Sequence, residues 1–297
     1  MAQVTVTGKY AVAYQTSESA AGVKSSGFLT TDGDVVFTAA EDIGAGMKAG
    51  ASLAVKVRGR AASGAVDGRD ATVYLQGGFG RITMGSIEAG NGIVGRASAG
   101  APVLGQDGGV TLDGVGNVDM ASLSLPIGAV TATVMMIDSI GAPGAGGLQS
   151  AAATQDATLV GLAYAAGPIS AGLDHTAYGQ NAAAATATDS RTRVSASYNL
   201  GVATVGAGYQ TKETYAGVAD NQMMVGVSVP MGAITLGATY ASRDNDSNAL
   251  DASGYEFGMN YAFSKRTNMQ VAYRSLELDA AGSNAATDLR VRLMHSF

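Results

Sequence analysis

Short Gly- or Pro-bearing turns punctuate this chain at near-regular intervals, each set between two stretches in which polar and apolar residues alternate. They are Asp42–Gly46, Gly77–Gly80, Pro126–Gly128, Gly167–Pro168, Asn199–Gly201, Pro230–Gly232 and Ser264–Arg266. Their spacing is roughly 31 to 40 residues, with one longer gap of about 47 between the second and third. A period of this size marks one supersecondary unit repeated along the chain. Here the unit reads as a hairpin with a tight turn at one end and a long polar loop at the other. Seven tight turns, with the chain ends meeting as an eighth junction, predict roughly sixteen antiparallel strands.

The alternation itself is plain. Val4, Val6, Gly8, Tyr10, Val12 and Tyr14 interleave with Thr5, Thr7, Lys9, Ala11 and Ala13, a period of two. It returns at Leu53, Val55 and Val57, at Val194, Ala196 and Tyr198, and at Phe257, Met259 and Tyr261. The last stretch puts Leu289, Val291, Leu293, His295 and Phe297 on one face and Asp288, Arg290, Arg292, Met294 and Ser296 on the other. Composition then decides what the apolar face meets. The chain is 46% apolar and only 14% charged, with 42 glycines, yet has no apolar run long enough for a helical membrane span. A closed barrel is the other way across a bilayer, because it pairs every backbone group and leaves no edge. Sixteen strands of about ten residues, with turns and loops, need roughly 280 residues, close to the 297 present. The whole chain, 1–297, therefore reads as a single all-β domain, a transmembrane antiparallel β-barrel.

Charge placement supports a polar lumen. Lys56-x-Arg58-x-Arg60, Arg191-x-Arg193 and Arg290-x-Arg292 sit inside strands at a spacing of two, which puts each set on one face. Most acids, including Glu18, Asp32, Asp67, Asp138, Asp189, Asp220, Asp244, Asp246, Asp251 and Asp279, fall in the presumed loops. Strand parity aims Lys9, Lys56, Arg58, Arg81, Arg290 and Arg292 at the lumen. Between the strands ending at Ser86 and beginning at Asn117 lies a Gly/Ala-rich stretch, Ile87 to Gly116, too small-residued for a core of its own. Connections of that length are usually functional, and this one is expected to fold against the lumen wall.

At this point the residues resemble a known family. FTAAEDIGAGMKAGASLAV (Phe37–Val55) and GRDATVYLQGGFGRITMG (Gly68–Gly85) resemble two hairpins of Gram-negative general porins, and RVRLMHSF (Arg290–Phe297) their last strand, ending in phenylalanine. The resemblance implies a homotrimer of sixteen-stranded barrels in the outer membrane, in contact with lipid and lipopolysaccharide. Each barrel would be a water-filled channel for passive diffusion of ions and small hydrophilic solutes. It further implies a long loop folded inward, its acids Glu88, Asp107 and Asp113 facing a basic wall of Lys9, Lys56, Arg58 and Arg81, and strand parity adds Arg290 and Arg292 to that wall. Departures exist. Ser86 stands where many relatives have arginine, Met294 and Ser296 replace basic residues, and the Pro-Glu-Phe-Gly-Gly-Asp motif of enteric relatives is missing.

Other motifs in the chain have plainer readings. Gly90-Asn91-Gly92-Ile93-Val94-Gly95 has the form of a dinucleotide-binding turn, but Ser98–Pro102 follows where a helix is required. The histidines are His175 and His295. Asp174 and His175, as strand neighbours, point to opposite faces, so a barrel-wall hydrolase has little to work with. A Gly-rich solenoid or propeller adhesin would need a different repeat. Asp244-Asn245-Asp246-Ser247 lacks the glycine and terminal glutamate of a calcium loop. With no cysteine there is no thiolate site, and no metal or other cofactor is expected. A net charge of −6 and a pI near 4.9 argue against nucleic acid as partner. Met1-Ala2-Gln3 runs straight into a strand, which reads as a mature chain without a secretory signal.

Overall fold

The structure, a computed structural model, describes residues 3–57, 59, 66–89, 92–104, 116–140, 155–179, 185–246, 251–278 and 285–297. The strands run, in chain order, β1 Gln3–Glu18, β2 Lys24–Gly44, β3 Met47–Val57, β4 Val66–Gly77, β5 Gly80–Ala89, β6 Gly116–Ile127, β7 Val130–Ile140 and β8 Gln155–Ala166. They continue as β9 Ile169–Tyr178, β10 Thr188–Asn199, β11 Thr204–Thr214, β12 Ala219–Met231, β13 Ile234–Asn245, β14 Ala252–Ala262, β15 Thr267–Leu278 and β16 Ala286–Ser296. One helix, α1 Gly92–Ala97, lies between β5 and β6. Each strand is antiparallel to its sequence neighbours, and β1 pairs with β16 to close the sheet. Closure is pinned at the last residue, whose N–H and C=O both bond the backbone of Gly8 at 2.9 Å. No sheet edge is left open.

The seven tight turns fall where the sequence puts them, and local chemistry shapes each. Asp42 Oδ1 accepts from the Gly44 amide at 2.8 Å, and Asn199 Oδ1 from the Gly201 amide at 2.7 Å. Such short side chains fold back on their own backbone and favour turns over strands. Gly128 and Gly232 each take φ of +63°, a left-handed conformation that costs glycine nothing.

Along the strands one set of side chains is apolar and at least partly exposed. Phe28 is 83% exposed, Met136 68% and Leu53 57%. On a sixteen-strand barrel this is the outer, lipid-facing band, and the alternate set faces the lumen. The described strands are longer than the sequence suggests. β1 has 16 residues and β2 has 21, and most acids expected in loops sit on strands instead. Glu18, Asp32, Asp67, Asp138, Asp189, Asp220 and Asp244 all lie within them. Asp246 and Asp251 are outside strands, and Asp279 is outside the described residues. The reason is that a barrel lumen, unlike a soluble core, accepts ionised side chains mid-strand wherever water or an opposite charge is at hand.

Candidate functional site: the inner wall and the segment packed on it

Residues 92–104, between β5 and β6, cross the inward face of the barrel from β9 to β16. The stretch opens with α1, a helix not expected from the sequence because of the Ser98–Pro102 breaker that follows. It is only six residues long, and it forms because Ile93, Val94 and Ala97 are buried against the wall with Met224 and Ala241. Burying one isoleucine side chain is worth about 1.5–3 kcal/mol, more than so short a helix can supply alone.

Beyond α1 the segment has no ladder partners of its own, so wall side chains take its carbonyls. Ser228 on β12 donates to the Ala99 carbonyl at 2.6 Å, Gln270 on β15 to that of Val103 at 3.1 Å, and Arg290 on β16 to that of Leu104. Arg96 reaches the other way and donates to Ser170 Oγ on β9 at 3.1 Å. Three wall donors thereby take three carbonyls of a strap with no regular secondary structure beyond α1. Inward glycines clear its path. A Cβ built on Gly226 would stand 2.5 Å from the Ala97 carbonyl oxygen, one on Gly237 2.6 Å from Ala101 Cβ, and those on Gly206 and Gly258 would overlap the carbonyls of Arg96 and Pro102.

Facing the far end of the strap is a basic cluster. On β1, Lys9 Nζ lies 2.6 Å from Asp32 and 3.6 Å from Asp34, both on β2. On β16, Arg292 approaches the second oxygen of Asp32 at 3.2 Å, and Arg290 holds Leu104. Asp32 is thus a carboxylate shared by two cations from different strands. Its position depends on an extra residue in β2. The register between β1 and β2 slips at Ala11/Val12, leaving Thr31 without a partner, and both Thr31 and Asp32 line the lumen here. Between Lys9, Arg290, Arg292 and the strap lies a recess of about 550 Å³.

The sequence-assigned residues distribute unevenly over this wall. Lys9, Arg290 and Arg292 come together. Lys56 faces the lumen one strand further on, its Cα opposite Asp34, which in turn is opposite Lys9. Arg81 does not join them. It sits one residue past the β4–β5 turn, its guanidinium stacked 3.8 Å over the Tyr74 ring. Arg58 lies outside the described residues, as do Asp107 and Asp113. Glu88 belongs to β5, not to the connection, and is held at 3.0 Å by Arg69. That arginine, which also lies 3.5 Å from Asp34, was missed from the sequence, as were Asp32 and Asp34 as lumen residues. Residues 92–104 themselves contain Arg96 and no acid. Further round the wall, buried or half-buried cations are matched by carboxylates. Arg193 pairs with Asp174 at 2.7 Å, and Arg243 and Lys212 with Asp220 at 2.5 and 3.2 Å. Arg274 pairs with Asp288 at 2.5 Å.

Solved structures of the same architecture exist. An anion-selective porin from Comamonas acidovorans superimposes with a TM-score of 0.77 at 22% identity, covering 100% of both chains. OmpT of Vibrio cholerae, in its trimer form, gives 0.75 at 12% identity over 100% of this chain and 99% of that one. OmpF of Salmonella typhi, in complex with daunomycin, gives 0.78 at 12% identity over 99% and 97%. Among curated protein sequences the chain has no detectable relative. The family profile described as Gram-negative porin matches residues 1–281. A sixteen-strand barrel with an apolar belt, a charged lumen and that profile along almost its whole length belongs to the Gram-negative porin family, the channels of the outer membrane.

Proposed function

We propose that the protein is a passive diffusion channel with a weak preference for anions, its lumen narrowed by the strap 92–104. One observation carries the preference. Residues 92–104 bring no carboxylate to the lumen, while the wall beyond their far end carries Lys9, Arg290 and Arg292, with Asp32 shared by Lys9 and Arg292 and Asp34 3.6 Å from Lys9. A passing ion comes within a few ångströms of these groups, well inside the Debye length of about 10 Å at 0.1 M salt. The overall charge of −6 is spread over a much larger body. That the Comamonas acidovorans protein is described as anion-selective agrees with this sign. The trimer form of the Vibrio cholerae protein supports a trimeric assembly for this chain as well.

A hydrolase built into the wall finds no support. His175 shares a hydrogen bond with Thr192 and His295 with Thr267, each at 2.9 Å, and neither meets a carboxylate among the described residues. The deciding measurement is the zero-current potential of the folded protein in a planar bilayer under a tenfold potassium chloride gradient. Its expected sign is that of an anion-preferring pore; a cation sign defeats the proposal.

A further inference from the structure

The strap lies on β9 to β16, so the passage beside it is bounded by the inner faces of β1 to β8. Charged side chains stud the first part of that arc, with Lys9, Asp34 and Lys56 in one cross-strand row. Three neighbouring strands differ. Between Arg81 on β5 and Asp174 on β9, no inward position on β6, β7 or β8 carries a charge among the described residues. Parity is fixed by the lipid-facing neighbours: Met136 is 68% exposed and Val160 53%, so Met135 and Leu159 point the other way.

Register stacks this sector in rows. Met120, Ile137, Ala157 and Tyr178 stand opposite one another across β6 to β9, and the next row is Ser122, Met135, Leu159 and Thr176. Ile137 and Ala157 are buried together with Val118. Met135 and Tyr178 pack against them and stay partly exposed, as do Met120 and Leu159. One row nearer the tight turns, Ser124 and Thr133 share a hydrogen bond at 3.1 Å. A water-filled lumen favours polar inward residues, so an apolar patch within it points to something that binds there.

Size and charge select the occupant. Three strand spacings and two rows make a patch about 14 Å wide and 7 Å tall. That is room for one aromatic ring or a short alkyl chain, and too little for a peptide helix about 10 Å across. A sector without charge favours neither sign of ion, so it suits a neutral molecule. The hydroxyls of Ser122, Ser124 and Thr133 border the patch and can meet hydroxyls of the same solute.

We infer that this sector is a contact site for uncharged hydrophilic solutes that carry a small aryl or alkyl group, such as glycosides with an apolar aglycone. The apolar group lies on Met120, Met135 and Leu159 beside Tyr178, and the sugar meets the hydroxyl row. The inference rests on the channel reading above and adds a saturable step for neutral solutes, on a wall away from the basic recess.

Phenyl glucoside and methyl glucoside make the test, since they share the sugar and differ in the aglycone. Each is titrated into potassium chloride on both sides of a bilayer holding single channels, and conductance is divided by the conductivity of the same solution. Phenyl glucoside should lower this ratio to a plateau. Its half effect should fall about tenfold below that of methyl glucoside, the worth of removing about 60 Å² of apolar surface from water. Equal potency, or no plateau with phenyl glucoside, overturns the site without any variant being made. Met135→Thr with Leu159→Thr keeps residues that suit a strand, and the pair should bring the two glucosides within about twofold of each other. Should the pair fail to insert, Leu159→Thr alone should cut the difference to about threefold. An undiminished difference in a conducting variant overturns the assignment to β7 and β8. A silent bilayer with the unaltered protein in potassium chloride alone defeats the channel reading, whereas a conducting one with equal potencies defeats only this site.

Discussion

Asp32 is the residue on which the charge of the inner wall turns. It lies between Lys9 at 2.6 Å and Arg292 at 3.2 Å, at 17% side-chain exposure. A carboxylate shared by two cations lowers their joint field on a passing ion but leaves the group net positive. Asp32→Asn removes the negative charge while keeping an acceptor for one of the two partners. The zero-current potential should then move further toward the anion side, by a larger step than Glu88→Gln produces, since Asp32 lines the recess beside the strap and Glu88 does not. Equal shifts would mean that the two acids lie equally close to the ion path. None of this was visible before folding. Thr30-Thr31-Asp32-Gly33-Asp34 has the composition of a turn, and only the unpartnered Thr31 lets it continue as a strand with Asp32 facing inward. The basic partners were legible because arginines at a spacing of two inside an alternating run can serve only one face. The acids were not, because a polar residue between glycines and threonines carries no parity of its own.

Among the elements, the strap and its glycine bed form a unit assembled from distant parts of the chain. Strands β11 to β14 supply Gly206, Gly226, Gly237 and Gly258, and residues 97–102 lie where their side chains would otherwise be. The alternating pattern announced the strands, and the turn residues fixed their number, so the barrel was readable from its hairpins. The bed was not, because 42 glycines spread over the chain give no hint of which ones align across four strands. Nor was α1, whose existence depends on a wall it meets only after closure. Gly226→Val tests the bed. Valine suits a strand, so the ladder should hold, but its Cβ meets the carbonyl of Ala97. The strap should be pushed off the wall into the lumen, giving smaller and noisier single-channel steps. Deleting residues 95–107 removes most of the strap and should enlarge them. Opposite signs from the two changes identify the strap as what limits conductance; the same sign, or no change in either, rules that out.

For the molecule as a whole, the question is whether selectivity follows total charge or its location. The chain carries −6 overall, which taken alone would draw cations, while the inner wall at the recess is basic. Two pairs of neutralising substitutions separate the alternatives. Arg290→Gln with Arg292→Gln removes two positive charges from the recess. Lys265→Gln with Arg266→Gln removes two from the exposed turn between β14 and β15. Either pair takes the net charge from −6 to −8. If the whole-body field governed passage, both would shift the zero-current potential toward cations alike. Fixed charges act on a permeating ion only within about 10 Å at 0.1 M salt and about 3 Å at 1 M. The recess pair should therefore move the potential strongly at 0.1 M and still measurably at 1 M. The turn pair should move it little at the first salt and not at all at the second. Glutamine keeps donors for the Leu104 carbonyl and for Asp32, so the strap and β2 retain their contacts and the barrel should still close. Equal shifts from the two pairs at 0.1 M would assign selectivity to the mouths of the pore and remove the inner wall from the account.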